Sequence, residues 1–227
     1  MARHLGRPLL ERCQATFGNT FLLKKLIVAT HLERYFIINK PTNMVSQFVS
    51  THDVGLLGDL DFNFPEGTHA IGRLDKDSEG LLLLTTDKRV TRLLFLAKIP
   101  HLRSYLVMVQ NEITPQTFKQ LKEGIPIKIK DGETYIAKPT SIEIIKNPND
   151  LYPFASDHRE VYAHTWLLIT LTEGKYRQVR KMVLAARHRC LRLVRLSISD
   201  LQLGALKPGE VKELDESLFF TKLNIKI

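Results

Sequence analysis

Four consecutive leucines, residues 81–84, stand directly behind a stretch that carries three carboxylates, Asp75, Asp77 and Glu79, and two glycines, Gly72 and Gly80. A short apolar run bounded by turn residues reads as a strand buried on both faces, so residues 81–86 are expected to be such a strand. Charge at the mouth of a buried strand needs a reason. One carboxylate could be a catalyst kept ionised by its neighbours, or all three could be the solvated turn before a core strand.

The rest of the chain alternates short strands with a few helices. Residues 35–39 form a strand closed by Lys40-Pro41. Residues 50–69 hold Gly55, Gly58, Pro65 and Gly67 with four acidic residues and predict a loop-rich crossing. Residues 89–98 have helical spacing at Val90, Leu93, Leu94 and Ala97, and residues 104–110 read as a strand. Thr114-Pro115 supplies a cap and a first-turn proline, and Gly124 a stop, for a helix carrying Phe118 and Leu121. Asp131-Gly132 between two apolar segments predicts a hairpin. Further strands are expected over residues 140–145, 164–172 and 191–198, with a helix from about Arg177 to Arg187. Asp215 caps a short terminal helix. Strands outnumber helices without regular βα alternation, which is the pattern of an α+β fold with a mixed, largely antiparallel sheet.

The 227 residues suit one domain, or two subdomains sharing a sheet, and no linker divides them. Residues 1–32 read as a basic N-terminal extension. No apolar run approaches the roughly 18 residues that span a bilayer, and the N-terminus lacks a signal-peptide block. A cytoplasmic location and no membrane partner are expected. Cys13 and Cys190 belong to no Cys-x-x-Cys pair. His188 with Cys190 lacks a second pair of ligands, so a metal site is not expected.

The net charge of +9 and a pI near 9.6 point to a polyanionic partner. Between Lys175 and Arg195 lie eight Lys or Arg residues and no acidic one. Solvated surfaces usually mix signs, so this segment predicts phosphate contact and salt-sensitive binding. Phosphate contacts position a nucleic acid without choosing a base.

Three chemistries could use the acidic turn. A nuclease would gather carboxylates around magnesium. A glycosidase-like enzyme would oppose two of them. A nucleoside transferase would use one as a nucleophile. If the segment is extended, Asp75 and Asp77 point to opposite sides, which weakens the metal alternative.

Gly72-Arg73-Leu74-Asp75 followed by Ser78-Glu79-Gly80 and the leucines resembles the signature of RNA pseudouridine synthases. The likeness is to the RsuA-like ribosomal branch, in motif style nearest the large-subunit enzyme RluE. Asn39-Lys40-Pro41 with Ser46-Gln47-Phe48 looks like that branch's opening strand. The segment from Glu173 to Met182 looks like its third motif. Order and spacing agree, and the resemblance covers residue 33 to the C-terminus. Lys88 and Ser78 depart from the branch pattern.

The resemblance implies a catalytic domain over residues 33–227, made of two subdomains on one sheet with helices packed on it and a cleft between them. The 32 residues before it are too few for the small N-terminal RNA-binding domain many relatives carry. It implies isomerisation of a uridine in ribosomal RNA, large-subunit RNA favoured, and no cofactor or metal. A monomer is expected. By motif match Asp75 is the catalytic carboxylate, Lys175 the cation beside it, and Tyr105 the phenol packed on the target base. Arg73, Arg177, Gln178, Arg180, Lys181 and Arg187 are expected to bind RNA. Asp77 and Glu79 are expected to be solvated or to bind nearby backbone and arginines. The alternatives are a non-catalytic relative that assists ribosomal RNA assembly, or a metal-dependent nuclease.

Overall fold

The leucine run forms the middle of a sheet. In the computed structural model, which describes residues 32–95, 100–157 and 163–226, strand β3 (Glu79–Thr85) lies antiparallel to β1 (Tyr35–Lys40), with Tyr35 opposite Thr85 and Lys40 opposite Gly80. All four leucines are fully buried. Burial of each is worth about 1.5–3 kcal/mol before the cost of ordering the chain.

Among the described residues the other strands are β2 (His69–Ile71), β4 (Arg103–Gln110), β5 (Ile125–Lys128), β6 (Thr134–Ala137), β7 (Ser141–Ile145), β8 (His164–Leu171), β9 (Cys190–Ile198), β10 (Leu201–Gln202) and β11 (Val211–Leu214). The main sheet runs β11-β1-β3-β9-β4-β8-β7, with β2 on β3 and β10 on β9, while β5 and β6 form a separate hairpin. The sheet is mixed and largely antiparallel. Its parallel junction is β3 against β9, where Glu79 meets Val194 and Gly80 meets Arg195.

That junction explains Gly80. It has φ +98°, and a Cβ there would lie 2.4 Å from the Arg195 carbonyl oxygen and 2.7 Å from its nitrogen. Only a residue without a side chain lets β9 approach this closely.

Alternation along the strands separates two faces. On one face Tyr35, Ile37, Leu81, Leu83, Leu106, Met108, Val194 and Leu196 belong to one apolar core shared by both halves of the sheet. Helix α1 (Arg89–Phe95) adds Val90 and Leu94, and α4 (Glu216–Leu223) adds Phe219, Phe220 and Leu223. On the other face the core is divided. Phe36, Ile38, Leu82 and Leu84 pack with Met44, Leu57 and Leu74. Val107, Val109, Leu167 and Ile169 pack with Leu121 of α2 (Pro115–Glu123) and Val179, Met182 and Val183 of α3 (Gln178–Ala185). The space between these two cores becomes the cleft.

Local signals resolve as their chemistry dictates. Thr114 accepts a hydrogen bond from the Thr117 N–H, and Gly124 ends α2 at φ +114°. Asp215 accepts bonds from the Ser217 and Leu218 N–H groups at the start of α4. The expected β5–β6 hairpin forms, its connection a 3-10 turn over Lys130–Gly132. Two expectations differ. Helix α3 begins at Gln178, because Arg177 is left-handed at φ +53°. Strands β2, β10 and β11 were not expected: they are two to four residues long, too short for alternation to register. The expected extension lies outside the described residues apart from Leu32, and Glu33–Ile227 forms one compact unit. No helix among the described residues is long and apolar enough to cross a membrane.

Candidate active site

A cleft of about 800 Å³ opens between the two divided cores. One wall carries Ser46, Arg73, Leu74 and Asp75, and the other carries Glu173, Lys175 and Arg177. Tyr105 and Arg195 also line it, from the central strands.

Asp75 sits at a turn closed by the Ser78 N–H donating to the Asp75 carbonyl at 3.0 Å. The residue before it is clamped. The Ser46 hydroxyl accepts from the Leu74 N–H at 2.9 Å and donates to the Leu74 carbonyl at 3.0 Å. Both bonds are buried, so the backbone entering Asp75 has little freedom. The Asp75 side chain keeps 29% of its exposure, enough to meet a ligand in the cleft.

The three carboxylates of the turn go to three destinations. Asp75 faces the cleft. Asp77 takes a bidentate pair from Arg177 at 2.9 and 2.7 Å, and its carbonyl accepts from Arg180 Nη2 at 2.6 Å. Glu79 takes a bidentate pair from Arg192 at 2.9 and 2.8 Å. The Arg177 hydrogen bonds hold the Asp77 carboxyl below its ordinary range. Such divergence suits arginine partners on different sides of the turn rather than one shared ion.

Among the described residues, Arg177 is the cation within 4 Å of the Asp75 carboxylate, with Nη1 3.7 Å from Oδ2. Its left-handed backbone is uncommon for a side chain of this size, and such outliers concentrate at functional sites. Lys175, matched to that place by motif, also lines the cleft, and its ammonium lies 4.2 Å from the centre of the Tyr135 ring. The Tyr135 hydroxyl donates to Glu173 at 2.7 Å.

The expected RNA-facing residues separate into groups. Arg73 is exposed at the cleft. Gln178 is buried. It donates to Glu173 at 2.6 Å and accepts from the Lys175 N–H at 2.9 Å, bracing the turn before α3. Arg180, with an 11% exposed side chain, is turned toward Asp77 and Ser78. Lys181 donates to the Lys128 carbonyl at 2.8 Å beside the Tyr176 ring. Arg187 is exposed beyond the far end of α3, outside the cleft lining. Within the basic segment Arg192 and Arg195 are buried, so a phosphate-facing role for that whole segment is not met. Cys190 is a thiol pushed up to about 11 by burial, and the adjacent His188 binds the Gln110 carbonyl through Nδ1 at 2.8 Å. Cys13 lies outside the described residues.

Comparison with known proteins decides the family. The family model for RNA pseudouridylate synthase matches residues 34–185. The chain belongs to the RNA pseudouridylate synthase family. It is 36% identical over 183 residues to a ribosomal large subunit pseudouridine synthase E of Vibrio parahaemolyticus serotype O3:K6 (strain RIMD 2210633), covering 80% of this chain and 74% of the relative. It is 33% identical over 174 residues to a protein of the same name from Xanthomonas axonopodis pv. citri (strain 306), covering 76% and 89%. A crystal structure of a pseudouridylate synthase superposes with a TM-score of 0.65 at 28% identity, over 84% of this chain and 74% of that one. This pseudouridine synthase is therefore an isomerase of RNA uridine with an α+β fold.

Two site residues are not legible as such in the sequence. Ser46 lies within a motif, but nothing local marks it as the clamp on Leu74. Arg195 reads as one of the phosphate cations, although its apolar neighbours Leu193, Val194 and Leu196 are the available sign of a buried strand.

Proposed function

We propose that this protein converts one uridine of large-subunit ribosomal RNA to pseudouridine, with Asp75 as the catalytic carboxylate. It acts as a monomer in the cytoplasm, without cofactor or metal. The observation that carries the reading is Asp75 in a partly open cleft, 3.7 Å from Arg177 and sharing that cleft with Tyr105. The names of the relatives supply the ribosomal target.

A uridine reaches this carboxylate only by leaving its stack, at a cost of a few kcal/mol when paired and less in a loop. Arg73 and Lys175 meet the phosphates of the everted nucleotide. Arg177 favours the ionised form of Asp75 by charge proximity. Asp75 attacks the sugar, or assists departure of the uracil, so that the nitrogen–carbon bond breaks. The ring turns and its C5 bonds to the same sugar carbon. The C5 proton leaves to the Tyr105 oxygen and a proton is gained at N1, so the atom count is unchanged.

The test incubates the protein with ribosomal RNA and maps pseudouridine chemically. One new site with the wild type, absent with Asp75→Asn, is expected. No new site, or the same site with Asp75→Asn, defeats the reading. Binding measured alongside should weaken steeply as salt rises, through counterion release.

A further inference from the structure

Arg195 carries a guanidinium that the chain has buried without using fully. The residue is 5% exposed. Its Nε donates to the Leu81 carbonyl at 2.8 Å, which anchors the side chain to β3. Its Nη2 is buried and has no hydrogen-bond partner among the described residues. Leaving a buried donor unmatched is costly, the more so for a charged group, so such an atom in a native site calls for a role.

Geometry gives one. Tyr105 on β4 stands directly opposite Arg195 on β9, and facing pairs on neighbouring strands project to the same side of the sheet. The register shifts between Ser104 and Tyr105, so Leu196 is the extra residue of a bulge beside this pair. Bulges re-aim side chains next to active sites. Both Tyr105 and Arg195 line the cleft. Burial pulls the guanidinium below its ordinary value, while the nearby Tyr105 hydroxyl favours its charged form. Arginine keeps its charge in such places.

We infer that Arg195 is a positioning residue for Tyr105: its free Nη2–H turns to the phenol oxygen and stabilises the phenolate formed when the hydroxyl gives its own proton to solvent, and that oxygen then takes the C5 proton. In this step the C5–H bond breaks and its electron pair restores the ring double bond. The C5 proton passes to the phenolate oxygen of Tyr105 and restores its hydroxyl, so the net change is one proton from C5 to solvent. The inference rests on the proposed role of Tyr105 and adds the group that makes the phenol effective. A donor aimed at a developing oxyanion is worth roughly 10²–10³-fold in rate.

The experiment compares RNA carrying ordinary uridine with RNA carrying 5-deuterated uridine at the target, under single turnover. It uses wild type, Arg195→Gln, Arg195→Lys and Tyr105→Phe, each checked for folding by thermal unfolding and for RNA affinity. Arg195→Gln should slow the reaction about 10²-fold with RNA affinity kept. Its deuterium isotope effect should rise clearly above the wild-type value, because C5 proton removal becomes the slow step. Arg195→Lys, which keeps the charge, should recover part of the rate. A folded Arg195 variant with the wild-type isotope effect overturns the inference. Failure of both Arg195 variants to fold also overturns it, since Arg195 would then serve the fold alone. If the wild type makes no pseudouridine, or Tyr105→Phe is fully active, the failure belongs to the proposed function instead.

Discussion

Arg177 bridges two carboxylates: its Nη1 stands 3.7 Å from Asp75 Oδ2, and the same guanidinium grips both oxygens of Asp77 at 2.9 and 2.7 Å. The grip on Asp77 fixes where the charge beside Asp75 stands. Asp77→Asn should therefore lower the single-turnover rate of pseudouridine formation by roughly tenfold, a differential of about 1.4 kcal/mol. Unfolding stability should change by less than about 1 kcal/mol, because this ion pair is partly exposed. Arg177→Lys should be the more damaging change, since an ammonium cannot reproduce the two-pronged contact. Rate and denaturant midpoint, measured together, check both statements.

The pair of Glu79 and Arg192 is of another kind. Their side chains are 12% and 7% exposed, and Arg192 also donates to the Phe154 and Ala155 carbonyls. Removing one partner strands a buried charge, so Glu79→Ala should cost about 3–5 kcal/mol. The exposed pair of Arg34 and Glu213 sets the comparison: Glu213→Ala should cost less than about 1 kcal/mol. Equal losses in urea unfolding would contradict this distinction.

Gly80→Ala should prevent β9 from docking on β3. The added carbon would lie 2.4 Å from backbone oxygen at a positive φ, and backbone cannot rotate away as a side chain can. A loss above roughly 3 kcal/mol is expected. Gly67→Ala supplies the control. It shares a positive φ, at +83°, but has nothing within 4 Å, so only the conformational cost of about 1–2 kcal/mol applies. Soluble yield and melting temperature of the two variants distinguish crowding from backbone preference.

Lys40 should make stability depend on pH in an unusual direction. It is fully buried and donates to the Pro41 and Met44 carbonyls at 2.8 and 2.6 Å. Burial pulls its pKa down to about 8, opposed by Glu79, Asp77 and Asp75. Unfolded, the side chain keeps its proton to about pH 10.4. Between those values the unfolded chain holds more proton, so stability rises with pH through the window, and below about 8 the full cost of the buried charge remains. Relative to Lys40→Met, the wild type should gain on the order of 2 kcal/mol between pH 7 and 10. A constant difference between the two proteins across that range would refute this.

The sequence by itself determined the elements whose signals are local. The leucine run made a buried strand, Thr114 and Asp215 capped their helices, and the order of three motifs pointed to the family. Residue identity and spacing suffice there, because the forces act within a turn or along one strand. The destination of each charged side chain was decided only by the tertiary structure. In one basic segment, Arg177 reaches Asp77, Arg192 reaches Glu79 and Arg195 reaches the Leu81 carbonyl, across separations of about a hundred residues. Apolar neighbours mark Arg192 and Arg195 as strand residues, but nothing in local spacing names the partner of any of the three. Sheet order brings β3, β4 and β9 together, and the cost of burying an unpaired charge then assigns each arginine its partner. The cleft has the same origin: one face of the sheet carries a continuous core and the other a divided one, a property of strand order that no single strand contains.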